Sequence, residues 1–457
     1  MQLRAQIASL WDQTRHSYWF VPSVLVLAAI LLSFITLELD RALTDGESRT
    51  STSWLYTGSA QGARQLLAAI AGSMIGVAGT VFSITVVALT LASNQFGPRL
   101  LRNFMRDLGN QIVLGTFLAT FLYSLLILRQ VHGEEGGDYR SLIPQISILV
   151  AVILAVVSLA VLIFFVHHIA QSIQAPNVIA AVAADLKAVI DDLYPEPIGE
   201  AMPETLRLRA ELQRQIPERM DQDSAAIHAG RAGYLQRIEA ESLLEEAQRH
   251  DLVIRVDRHP GQFLLADDVV MRAWPAARVD DGVRDNLSQV FTIASQRSHA
   301  QDVEFGVDQL VEIALLGLSP GVNDPFTALM CIDRLAESLS YFAQRAIPSP
   351  YREGKDGRLR VIAYPMELRK MIDAAFNQIR QNSGRSLATM LRLLKAFERI
   401  GEHVHDEETR VCLRQQMDTV YHQATEAFSD EYDRRSIVQA YQTAIEAIDQ
   451  VPDRRGR

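Results

Sequence analysis

Only two cysteines, Cys331 and Cys412, occur in 457 residues. Both lie inside apolar helical patterns, which excludes a disulfide framework and suits a reducing compartment. Each reads as a small buried hydrophobe. The chain also lacks any basic block or basic-aromatic interleaving. With 44 Lys and Arg against 54 Asp and Glu, its formal charge is −10, which excludes a nucleic-acid binder. Walker loops, dinucleotide glycine patterns, His-Glu-x-x-His, Cys-x-x-Cys and nucleophile elbows are all missing. The nearest approach to a metal cluster is His403 and His405 among Glu402, Asp406, Glu407 and Glu408. Alternate residues on a helix diverge, so this reads as a charged, solvated helix junction. No enzyme class, cofactor or metal is indicated.

What is present is an uneven distribution of apolar residues. A bilayer core needs about 20 mainly apolar residues in helix. Four charge-free stretches meet that length: Trp19 to Leu37, Leu66 to Ala92, Ile112 to Leu128 and Ile143 to Val166. The polar lead-in over residues 1–18 carries Asp12 and Arg15, and no small-residue cleavage site follows the first run, so that run reads as a retained span rather than a signal. Tyr18, Trp19, Trp54 and Tyr56 flank spans where aromatic rings favour the headgroup level.

The expected fold class is mainly α. A four-helix transmembrane domain (19–170) is followed by a large cytosolic domain, mostly helical with a small β module. Within the latter, residues 171–231 read as a helical exit and charged linker, 232–275 as the β-containing module and 276–457 as helical. Counting Lys and Arg across the loops gives a draw. Arg99, Arg102 and Arg106 crowd one short loop, and the lone cysteines favour the cytosol for the C-terminal domain, so both termini are expected inside.

The second span carries the most information. Ser73, Gly76, Thr80, Ser83, Val87, Thr90 and Asn94 recur in steps of three and four, which is one helix face. Every member but Val87 is small or polar. Two readings stand: close helix packing, with Gly72 and Gly76 as a small-xxx-small pair, or the lining of a narrow pore repeated around an oligomer axis. Gln95-Phe-Gly-Pro98 ends this helix, and residues 98–108 follow as a two-faced surface helix. Its Arg99, Arg102 and Arg106 point to anionic lipid headgroups as partners, or to the inner mouth of a pore. His167 and His168 close the fourth span as an interfacial anchor or a pH-sensitive pair. Asn323 and Asp324, before Pro325, read as a helix start or a ligand candidate.

These motifs also carry a resemblance. Phe82-Ser-Ile-Thr85, the run from Leu91 through Gln95-Phe-Gly-Pro98 to Asp107, His167-His168 and Leu318-Ser-Pro-Gly-Val-Asn-Asp-Pro-Phe326 resemble the bacterial membrane proteins of domain of unknown function 2254. The resemblance implies an inner-membrane location and this domain order; it transfers no activity. The expected function is a homo-oligomeric channel or pore lined by the second span and regulated by the cytosolic domain. The alternative is a non-transporting sensor or scaffold that binds a cytosolic partner or ligand.

Overall fold

The computed structural model describes residues 19–45, 59–97, 107–131, 144–194, 203–384 and 386–450. The chain divides into two compact units, Met1–Asn177 and Val178–Arg457.

The first unit contains α1 (Phe20–Asp45), α2 (Ala60–Phe96), α3 (Leu108–Gln130) and α4 (Gln145–Ser172). All four are long and apolar enough to cross a membrane. Each overlaps an expected apolar run and continues past it at one end or both. A backbone in hydrocarbon has only its own helix for hydrogen bonding, so helices persist into the interface rather than stopping at the last apolar residue. At 37 residues, α2 is roughly 55 Å long, well beyond the ~30 Å hydrocarbon core.

Helix α3 is the hub of this unit. Half of its most apolar window is buried, against 28% for α1 and 22% for α2 and α4. The other three helices all pack against it. Phe117 of α3 meets Val81 of α2 and Phe165 of α4 in one apolar cluster, and Ile127 meets Leu67 and Ile148 in another. Where α1 crosses α3 closely, Gly115 is required: a Cβ there would lie 2.6 Å from Leu25 Cδ1 and 3.0 Å from the Pro22 backbone.

Polar side chains join the same helices. The Tyr123 hydroxyl shares a 2.9 Å hydrogen bond with Thr36 and donates to the Ser147 carbonyl at 3.1 Å. Thr120 and Ser158 hydroxyls meet at 3.0 Å. Asp40, just beyond the first apolar run, is buried. Its carboxylate accepts from the backbone N–H groups of Ile146 (2.8 Å) and Ser147 (3.0 Å) and from the Ser147 hydroxyl (2.6 Å). Pro144 precedes α4 and has no capping side chain. Helix α1 therefore supplies the N-terminal cap of α4, satisfying donors that would otherwise be orphaned.

Helix α5 (Ala175–Leu193) leads into the second unit. The stretch expected to be an exposed charged linker contains α6 (Pro203–Arg214) and buries Leu212 and Met220. The dense charges hid it, because among its described side chains only Leu212 is buried. Where a β module was expected, β2 (Gly233–Ile238), α7 (Ala240–Arg249), β3 (Val253–Val256), β4 (Phe263–Leu264) and β5 (Val269–Trp274) follow β1 (Ala225–His228). It is larger than the sequence suggested. Beyond α8 (Asp281–Gln289) come β6 (Phe291–Ala294) and, after α9 (Val303–Leu318) and α10 (Pro325–Ala343), a hairpin of β7 (Tyr351–Glu353) and β8 (Leu359–Ala363). Residues 276–457 are thus not wholly helical. The strands form a sheet ordered β1-β5-β3-β8-β7, with β3 and β8 parallel, and a second ordered β4-β2-β6. Leu359 to Ile362 are buried in succession, as in a strand covered on both faces, so no alternating pattern marked them.

The C-terminal helices α11 (Leu368–Asn382), α12 (Leu387–Gly401), α13 (Glu407–Ala427) and α14 (Glu431–Asp449) complete the unit. Their starts follow capping chemistry: Ser386, Asp406 and Asp430 each accept a backbone N–H from the first turn. His403 and His405 lie in the junction between α12 and α13. Both cysteines are free and buried. Burial, with Asp373 adding to it, pushes the Cys412 thiol up to about 12. Asp302, 3% exposed, caps α9 and is held by Arg297 at 2.8 and 2.9 Å, while Arg297 also reaches Asp308 at 2.6 Å.

Two substitutions test this description. Asp40→Ala is expected to cost about 2 kcal/mol, read as a lowered thermal midpoint in detergent, with exposed Glu38→Ala as the neutral control. Arg297→Met leaves the Asp302 carboxylate buried and unpaired, and is expected to cost about 3–5 kcal/mol by denaturant unfolding.

Candidate functional site

Helix α2 uses two opposed faces differently. Leu67, Ala71, Ala78, Val81, Ala88 and Ala92 are buried toward α3 and α4. The small and hydroxylic stripe points elsewhere: Ser73, Gly76, Thr80, Ser83, Val87, Thr90 and Asn94 are all exposed in the single chain. Among the described residues the stripe therefore takes no part in packing within the bundle. A Cβ built on Gly72, Gly76 or Gly79 would meet no atom within 4 Å, so the shallow groove along these glycines is unfilled by the described residues.

The hydroxyls on the stripe are only partly committed. Ser73 donates to the Ile70 carbonyl at 2.9 Å, Thr80 to Gly76 at 3.1 Å and Thr90 to Val86 at 2.9 Å. Such back-bonding satisfies the proton and leaves oxygen lone pairs outward. The Ser83 hydroxyl and the Asn94 amide have no partner among the described residues. Val87, 59% exposed, interrupts the polar series with a branched apolar side chain.

Arg99, Arg102 and Arg106 lie outside the described residues, as does nearly all of the expected 98–108 surface helix. Its last members do not belong to it. Asp107 is the N-cap of α3, accepting from the Gly109 N–H at 2.7 Å, and Leu108 opens that helix. An Asp just before an apolar run is a capping signal that the basic face of the preceding segment obscured.

The two histidines point to different surroundings. His167 is exposed, while His168 turns inward, where its Nε2 lies 2.7 Å from Asp107 Oδ2. The Phe164 ring stacks on His168 at 5.2 Å between centroids. Successive helix positions diverge by about 100°, so only His168 can reach α3. Gly109 permits this approach, since a Cβ there would fall 2.6 Å from the imidazole Nε2. Ser172 donates to the His168 carbonyl at 2.8 Å. The contact ties the end of α4 to the start of α3.

Asp324 caps α10, accepting from the Thr327 N–H at 3.2 Å and the Thr327 hydroxyl at 2.6 Å, with Pro325 at the first helical position. Asn323 adopts φ +49, a left-handed conformation that Asn tolerates. The Asp324 N–H bonds back to Gly317 at 2.8 Å. Helix capping accounts for Asp324, and Asn323 turns the chain before it. Asp40, Asp107 and Tyr123 were not legible as site residues, because their partners are distant in sequence.

Comparison with known proteins agrees with this architecture. Residues 15–399 match the family described as predicted membrane protein, DUF2254. Uncharacterized proteins of Mycobacterium tuberculosis and Mycobacterium bovis are 32% identical over 402 residues, covering 86% of this chain and 74% of theirs. No solved structure matches significantly. With four candidate spans and a match over most of its length, the chain belongs to the DUF2254 family of membrane proteins.

Proposed function

We propose that the protein acts as a homo-oligomer in the membrane, with α2 helices from neighbouring copies bordering a narrow, mildly polar pathway. The observation that carries this reading is the outward direction of the whole stripe from Ser73 to Asn94, while the opposite face of α2 makes the bundle contacts. Lipid tails solvate leucine as well as another helix does, so apolarity alone gives no association; small residues that let backbones approach do. An open glycine groove beside hydroxyls suits a second helix better than disordered acyl chains. The uncommitted Ser83 hydroxyl supports the same reading, since an unpaired hydroxyl in hydrocarbon is costly.

In this arrangement Val87 forms an apolar collar within a polar series, and a collar of that kind closes a narrow pathway by excluding water. Regulation falls to the second unit, which continues from the end of α4. We take the bacterial inner membrane as the location and place the second unit and both termini on the cytosolic side. Buried, unpaired Cys331 and Cys412 support this.

Planar-bilayer recording of the purified full chain tests the proposal. Low open probability in the natural sequence and frequent opening after Val87→Ser are expected. A silent Val87→Ser protein, in samples that retain their oligomeric state, would instead support the α2 face as packing within a non-transporting sensor.

A further inference from the structure

The second unit holds a cavity of about 370 Å³ that the reading of α2 does not use. Its wall is apolar: Leu243 and Leu244 of α7, Val256 of β3, Val361 and Ala363 of β8, and Met366 beyond that strand. This volume falls within the range of small-molecule sites. Such a hollow normally gains specificity from a few polar groups at its mouth. Here several of them are already engaged.

Gln301 is bound to the Ile238 backbone through both amide atoms, at 2.9 and 3.1 Å. Asp302 is held by Arg297 and the start of α9. Arg258 lies 3.6 Å from Asp268. Tyr194 donates to the Met366 carbonyl at 3.3 Å. Glu241 sits in the first turn of α7, where a helix N-terminus favours a carboxylate. The imidazole of His259 is partly buried beside Lys370, and both effects lower its pKa and keep it neutral near pH 7.

Of the two arginines that line the hollow, Arg352 is the one without a carboxylate partner among the described residues. Its guanidinium touches only the backbone carbonyls of Ser349 and Tyr351, and no carboxylate pairs with it among the described residues. It stands exposed at the mouth, yet the surrounding protein desolvates it enough to lower its pKa. An unpaired guanidinium at the edge of an apolar hollow is complementary to a carboxylate attached to an apolar body.

We propose that this cavity binds a small amphiphilic carboxylate, its ring or short acyl tail among Leu243, Leu244, Val256 and Val361 and its carboxylate on Arg352. The site concerns the second unit by itself and stands whether or not α2 borders a pathway.

Isothermal titration of the full chain in nanodiscs with 4-phenylbutyrate is the test, since this probe is soluble and does not form micelles. Saturable one-to-one binding is expected. Arg352→Gln and the uncharged analogue 4-phenylbutanol are each expected to weaken it about tenfold or more, and Leu244→Trp, which fills the cavity, to abolish it. Decanoate in place of phenylbutyrate separates an acyl chain from an aromatic acid as the preferred body. Absence of saturable binding to the natural sequence overturns the proposal, as does binding that Leu244→Trp leaves intact. Equal affinity for acid and alcohol, or tighter binding of 4-phenylbutylamine, overturns the assignment of an anion to Arg352.

Discussion

Within the membrane-spanning unit, everything is organised by the need to satisfy backbone and side-chain polarity without water. Helix α3 takes the middle, and the three remaining spans bury their apolar knobs against it. At one end Asp40 caps α4 from α1 while Tyr123 binds Thr36 and Ser147; at the other Asp107 caps α3 and meets His168 of α4. The end caps are shared between helices, so the register of one span depends on its neighbour. Polar contacts of this type are individually modest in membranes, but here Asp40 and Asp107 also close helix termini, where an orphaned group is costly.

That arrangement leaves α2 with one face unused. A helix packed only for stability would turn its glycines and alanines inward together. Instead Ala71, Ala78, Ala88 and Ala92 face the bundle, while Gly72, Gly76 and Gly79 face away. Two sets of small residues on opposite sides fit a helix that packs twice, once within its own chain and once against another.

The four spans, the stripe and most helix starts could be read from the sequence because each is a local signal: a charge-free run of spanning length, a step of three and four, or an Asp or Ser before an apolar pattern. Asp302 before Val303 and Asp324 before Pro325 cap helices as that chemistry requires. What could not be read depends on distant partners. Leu359–Ala363 is a strand with β7 on one side and the distant β3 parallel on the other, and α6 hides in a charged stretch because only isolated residues such as Leu212 reach a core. Of the candidate site residues, the His167–His168 pairing dissolved because the two side chains diverge, and Asp107, the real partner of His168, lies 61 positions away. The cavity around Val256, Val361 and Arg352 likewise assembles from separate strands and loops.

The central claim is that the exposed face of α2 meets the same face of another copy. Disulfide scanning along α2 in native membranes tests it most directly, since Cys331 and Cys412 are buried and silent. The account predicts cross-linked dimers at Ser73→Cys, Gly76→Cys, Thr80→Cys and Ser83→Cys, and none at Ala78→Cys or Ala88→Cys on the buried face. Cross-links absent from the whole stripe, or spread evenly around the helix, would contradict it.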